Sequence, residues 1–91
     1  MSGLLSYQFV EFYKTLSHPI RLGILDVLFE SAKSVNELGR QLNKCQSNVS
    51  QHLQVLRKNN LASSNKSGKR RIYRLDDENK ALIIYLGKYK I

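Results

Sequence analysis

Large apolar side chains recur along this chain with two different periods, and the change of period divides it. Leu5, Phe9, Phe12, Tyr13 and Leu16 stand at helical spacing, with Leu4 and Val10 widening the arc, and predict a helix over about 4–16. Ser17-His18-Pro19 breaks and restarts the chain, with Ser17 or His18 near the cap and Pro19 suited to a first helical turn. The second helix runs to about Glu30 and is expected to bury Ile20, Leu22, Ile24, Leu25, Leu28 and Phe29, with Arg21 on its rim. Ser34-Val-Asn-Glu37 has the form of a capping box, in which the serine side chain accepts from a backbone N–H and the glutamate reaches back. A short third helix follows with Val35, Leu38 and Leu42 inward, then a turn at Asn43-Lys44. The fourth helix keeps Val49, Leu53 and Leu56 on one stripe with Val55 beside them. Two short helices joined by a tight turn make a helix-turn-helix over about 34–59.

Beyond Asn59-Asn60, residues that accept a left-handed backbone and end helices, the period falls to two. Leu61–Lys66 and Arg70–Leu75 read as strands around Ser67-Gly68-Lys69, with glycine supplying the positive φ of the turn. Arg71, Tyr73 and Leu75 would share one side of this β wing, Arg70, Ile72 and Arg74 the other. A last helix over about 77–90 starts at Asp76-Asp77, acids suited to a helix N-terminus. Leu82, Ile83, Leu86 and Tyr89 lie along one edge of it, with Tyr85 adjacent. The pattern is mainly α with a small β-hairpin wing, in the order α-α-α-α-β-β-α, as a single domain 1–91 with the wing at about 61–75. A first helix this apolar must be covered on more than one side, by a second subunit or by the core of its own chain.

The polar positions change the picture. The outer face of the fourth helix reads Gln46, Ser47, Asn48, Ser50, Gln51 and Gln54: short, uncharged groups, most of which both donate and accept hydrogen bonds. Solvated faces ordinarily carry Glu and Lys, whereas this one suits the donor and acceptor edges of a DNA major groove. All seven acids, Glu11, Asp26, Glu30, Glu37, Asp76, Asp77 and Glu78, lie outside the stretch from Leu38 to Leu75. That stretch holds Arg40, Lys44, Arg57, Lys58, Lys66, Lys69, Arg70, Arg71 and Arg74. Mixed signs are the rule on a solvated surface, so so long an acid-free run points to phosphates. Arg40, Lys44, Arg57 and Lys58 would fix register on the backbone, and Lys69, Arg70 and Arg71 would bring the wing to backbone or minor groove. A membrane surface would instead favour one basic helix with an apolar back.

Composition adds bounds. Ninety-one residues suffice for one marginal core, and a formal charge of +8 favours a polyanion as partner. A single cysteine excludes an intrachain disulfide framework and suits a reducing, cytoplasmic setting. No apolar run reaches the length of a membrane span, and Met-Ser-Gly-Leu-Leu-Ser lacks the pattern of a secretory signal. No nucleophile–base constellation or phosphate-binding glycine loop is readable, so the expectation is no enzyme and no cofactor.

Three segments resemble the ArsR/SmtB-type bacterial and archaeal repressors: Leu16-Ser-His-Pro-Ile-Arg-Leu-Gly-Ile-Leu25, Gln46-Ser-Asn-Val-Ser-Gln-His-Leu-Gln-Val-Leu56 and Gly68-Lys-Arg-Arg-Ile-Tyr-Arg-Leu75. The second follows that family's recognition-helix pattern almost position by position. The resemblance implies a winged helix-turn-helix homodimer, joined through its first and last helices, that represses transcription at a palindromic operator on double-stranded DNA. Leu5, Phe9, Phe12, Leu82, Leu86 and Tyr89 are the corresponding interface candidates. Base contacts would fall on Gln46, Ser47, Ser50 and Gln51, with Asn48 beside them. The alternative is a winged helix that docks on other proteins within a larger assembly, a use that would not require the acid-free stretch.

The chain departs from the family in its ligand residues. The third helix has no thiol and no imidazole, and the last has no histidine, so no metal is expected. His18 and His52 read as packing or capping residues. Cys45 stands where the family has a Ser or Thr cap, at the positive end of a helix beside Lys44. It reads either as a redox-sensitive thiol or as a tolerated exchange of one small residue for another.

Overall fold

The computed structural model describes Val10 and residues 13–76. The interface candidates Leu5, Phe9, Phe12, Leu82, Leu86 and Tyr89, and the whole last helix over about 77–90, lie outside the described residues. Val10 and residues 13–16 are helical, with Thr15 and Leu16 buried.

Helix α1 spans Pro19–Glu30. Its N-cap is His18, whose Nδ1 accepts from the Ile20 N–H at 3.3 Å, and Pro19 occupies the first helical position where no N–H is needed. Ile24, Leu25 and Leu28 are buried, and Ile20 and Leu22 are half-buried against them. Phe29, expected inside, is 46% exposed. One position beyond Leu28, it has rotated off the buried stripe.

Strand β1 (Lys33–Ser34) leads into α2 (Val35–Leu42), and the capping box at its start is complete. Ser34 Oγ accepts from the Glu37 N–H at 3.3 Å, and Glu37 Oε1 accepts from the Ser34 N–H at 3.0 Å. Helix α3 spans Gln46–Lys58. The two helices end alike. Asn43 (φ 56°) and Asn60 (φ 60°) are left-handed, a conformation short Asn side chains tolerate. In each case the following N–H reaches back to a carbonyl in the last turn: Lys44 to Gly39 at 2.9 Å, Leu61 to Leu56 at 2.8 Å. This Schellman closure satisfies carbonyls that would otherwise be orphaned. At the first of these ends a Cβ on residue 39 would lie 2.8 Å from the Lys44 carbonyl oxygen, so the turn between α2 and α3 requires Gly39.

The wing is a hairpin of β2 (Ala62–Ser67) and β3 (Arg70–Leu75). Ser67 pairs with Arg70, so the turn has two residues, Gly68 (φ 63°) and Lys69, rather than the three expected. The short β1 was not anticipated: two residues are too few to display a period. It pairs antiparallel with β3, Ser34 opposite Ile72, which makes β3 the central strand of a three-stranded sheet.

One core joins these elements. Ile24, Leu25 and Leu28 of α1 meet Leu38 of α2, Val49, Leu53 and Leu56 of α3, and Leu61, Ala62, Tyr73 and Leu75 from the hairpin. Each such Leu or Ile, fully buried, is worth about 1.5–3 kcal/mol relative to exposure. Packing therefore fixes which face of α3 is left outside.

Candidate nucleic-acid interface

With Val49, Leu53 and Leu56 sealed inside, Gln46, Ser47, Ser50, Gln51 and Gln54 are all exposed on α3. Asn48 departs from the expected outer face. It is half-buried, and its Oδ1 is shielded from solvent with no hydrogen-bond partner among the described residues. Gln46 is not idle in the free chain, since its Nε2 donates to Asn36 Oδ1 on α2. Nothing in the pattern of apolar positions marks Asn36 as that partner.

Cations surround this neutral face. Gln46 borders two open grooves. One, about 420 Å³, runs past Arg40, Lys44 and Cys45. The other, about 190 Å³, lies between Asn36 and Gln46 on one side and Lys69, Arg70 and Arg71 of the wing on the other. A third, about 480 Å³, opens at the far end of α3 between Gln54, Arg57 and Lys58 and the hairpin residues Ser63 and Ser64. All seven of these Lys and Arg residues are exposed. On the wing, Arg71 Nη1 donates to Ser64 Oγ across the hairpin at 3.0 Å. Arg70, expected to face the backbone, is turned toward α2, where its Nη2 lies 3.0 Å from Glu37 Oε1. The serine amide and hydroxyl, followed by the Arg70 and Lys33 charges, hold the Glu37 carboxyl below its ordinary value.

Behind the outer face, His52 is half-buried with its ring 4.3 Å from that of His18. Arg21 Nε donates to His52 Nδ1 at 3.2 Å, and Arg21 Nη1 donates to the Thr15 carbonyl at 3.4 Å. Burial, then the charges of His18 and Arg21, push the His52 pKa down. Both imidazoles thus serve as packed acceptors. Among the described residues no group of three or more His, Cys, Asp or Glu stands close enough to hold a metal ion. Cys45 is exposed at the N-cap of α3 without making a side-chain cap bond. The Ser47 hydroxyl, 3.4 Å from Sγ, leads the groups that lower its pKa.

The model of the bacterial regulatory proteins of the arsR family matches residues 18–64, more than half of the chain. The chain belongs to the ArsR family. It is 42% identical over 64 residues to an HTH-type transcriptional regulator of Mycobacterium tuberculosis, a match covering 69% of this chain and 56% of that protein. It is 38% identical over 71 residues to the biofilm growth-associated repressor of Xylella fastidiosa, covering 78% of this chain and 62% of the repressor. The chain thus spans about three-fifths of the length of these relatives. Among solved structures it superposes with TM-score 0.86 and 25% identity on a homodimeric winged helix-turn-helix DNA-binding domain of Mycobacterium bovis, covering 98% of this chain and 89% of that one. The ArsR-family fold is accordingly a winged helix-turn-helix, mainly helical with a small antiparallel hairpin. Among the described residues no helix is long and apolar enough to cross a membrane.

Proposed function

We propose that this ArsR-family chain is a cytoplasmic, homodimeric transcriptional repressor, without catalytic activity, that reads an inverted-repeat operator in double-stranded DNA. The observation that carries the reading is the neutral outer face of α3 ringed by exposed Arg and Lys. Gln46 and Gln51 supply amides that pair bidentately with adenine, and Ser47 and Ser50 supply less selective hydroxyls. For Gln46 this requires exchanging its bond to Asn36 for one to a base edge. Arg40, Lys44, Arg57 and Lys58 would hold phosphates on either side, and Lys69 and Arg71 would bring the wing to the adjacent backbone or minor groove. Half-buried Asn48 is the weakest of the base-contact candidates. Two-fold pairing of two copies would set two recognition helices roughly 34 Å apart, in successive major grooves.

Selection of bound sequences from random duplex DNA tests the reading. The expected product is an inverted repeat whose affinity falls steeply with salt. Failure to retain any duplex at low ionic strength would overturn it and leave a protein-docking winged helix in its place.

A further inference from the structure

The wing cations are not equivalent. Lys69 is exposed at the turn and Arg71 is bonded within the hairpin, but Arg70 reaches out of the wing altogether. Its Nη2 donates to Ser34 Oγ and to Glu37 Oε1, each at 3.0 Å. Those two oxygens are the acceptors of the capping box, so one guanidinium nitrogen bridges both halves of the device that starts α2. We propose that Arg70 is a positioning residue, which fastens the root of the wing to the first turn of α2 and so sets the wing's place beside the recognition helix, rather than gripping phosphate itself.

Three further observations agree. The contact lies two residues from the Ser34–Ile72 pairing of β1 with β3, so side chain and sheet tie the same two elements. Glu37 is the last acid before the acid-free stretch from Leu38 to Leu75. A carboxylate at the border of a phosphate-binding surface repels the ligand, and its presence makes sense if its task is to hold a cation of the chain itself. Finally, its side chain is 33% exposed against 61% for Arg70, so the carboxylate is the fixed end and the guanidinium reaches over to it.

This inference rests on the proposed binding of duplex DNA, and the experiment separates the two. Dissociation constants for a selected operator are measured over a salt series for the full chain and for Glu37→Gln, Arg70→Ala, the double variant and Lys69→Ala. Gln keeps the oxygen that the capping box needs while removing the charge. Positioning predicts that Glu37→Gln and Arg70→Ala each weaken binding roughly two- to fivefold, the scale of an exposed ion pair. The salt slope stays unchanged, and the double variant is no weaker than Arg70→Ala. Lys69→Ala, by contrast, lowers the slope by about 0.9, one phosphate contact. If Glu37→Gln tightens binding while Arg70→Ala lowers the slope by that amount, Arg70 grips phosphate and the proposal is overturned; unchanged affinity in both variants overturns it too. Hydrogen exchange at the Ser34–Ile72 pairing, measured without DNA, must accelerate in both variants. Unchanged exchange there defeats the proposal even if the chain retains no duplex, whereas a wild-type chain that retains none defeats only the DNA-binding reading.

Discussion

The two faces of α3 are made from the same thirteen residues and are built on opposite terms. Val49, Leu53 and Leu56 point inward and are shut off from solvent, in one core with residues of α1, α2 and the hairpin. Gln46, Ser47, Ser50 and Gln51 point outward and are exposed. The inner face determines whether the helix exists and how it is oriented. The outer face contributes little to that and is free to be chosen for what it meets. Stability and the proposed recognition of DNA are therefore separable within one helix, and substitutions on each side should report different quantities.

The largest effect is expected from the inner face. Leu53→Ala removes a side chain that is 1% exposed and should cost about 2–5 kcal/mol in a denaturant melt, with loss of DNA affinity following from unfolding. Gly39→Ala should come next. Its new methyl must displace the Lys44 carbonyl from 2.8 Å, a strain on the order of 1–3 kcal/mol that also re-aims α3, so melting temperature and affinity fall together. Gln51→Ala sharpens the contrast from the other side. Its melt should stay within about 0.5 kcal/mol of the parent, while discrimination at one base pair falls by about 1–3 kcal/mol in binding to single-substitution operators.

Acid tests the boundary between the faces. The folded chain holds His52 below its ordinary value of 6.5, so between the two values the unfolded chain binds more protons. Its contribution to stability is present above about pH 6.5 and is lost as pH falls through the lower folded value. Melts taken downward from pH 7.5 should show that decline, and His52→Gln should flatten it. The smallest effect belongs to Cys45. Restoring a hydroxyl cap with Cys45→Ser should stabilise the chain by about 0.5–1 kcal/mol. In the parent, an exposed thiol held below its ordinary value of 9.0 should alkylate at pH 8 faster than a model thiol.

Much of this was legible because short-range chemistry specified it. Apolar spacing marks α1, α2 and α3, the capping box marks the start of α2, and Gly68 marks the hairpin turn. What escaped depends on groups far apart in sequence. Strand β1 exists through its partners Tyr73 and Ile72, not through any pattern of its own two residues. The acceptors of Arg70 lie 33 and 36 positions away, and a period-two reading places Arg70 on a strand face without saying what that face meets. Asn48 sits one position from Val49, close enough to the buried stripe for its oxygen to be drawn under it. Phe29 shows the reverse: hydrophobicity alone argued for the interior, and helical rotation put it outside.

The order of the sheet bears on how the chain behaves at high concentration. Strand β3, with Ile72, Tyr73 and Leu75, is paired on both sides, while its neighbours are a two-residue stub and the Ala-Ser-Ser-Asn-Lys-Ser run of β2. Among the described residues, the segment best suited to recruit a strand from another molecule thus has no open edge, and the edges left unpaired are too short or too polar to template one. This arrangement shields the chain from edge-to-edge aggregation.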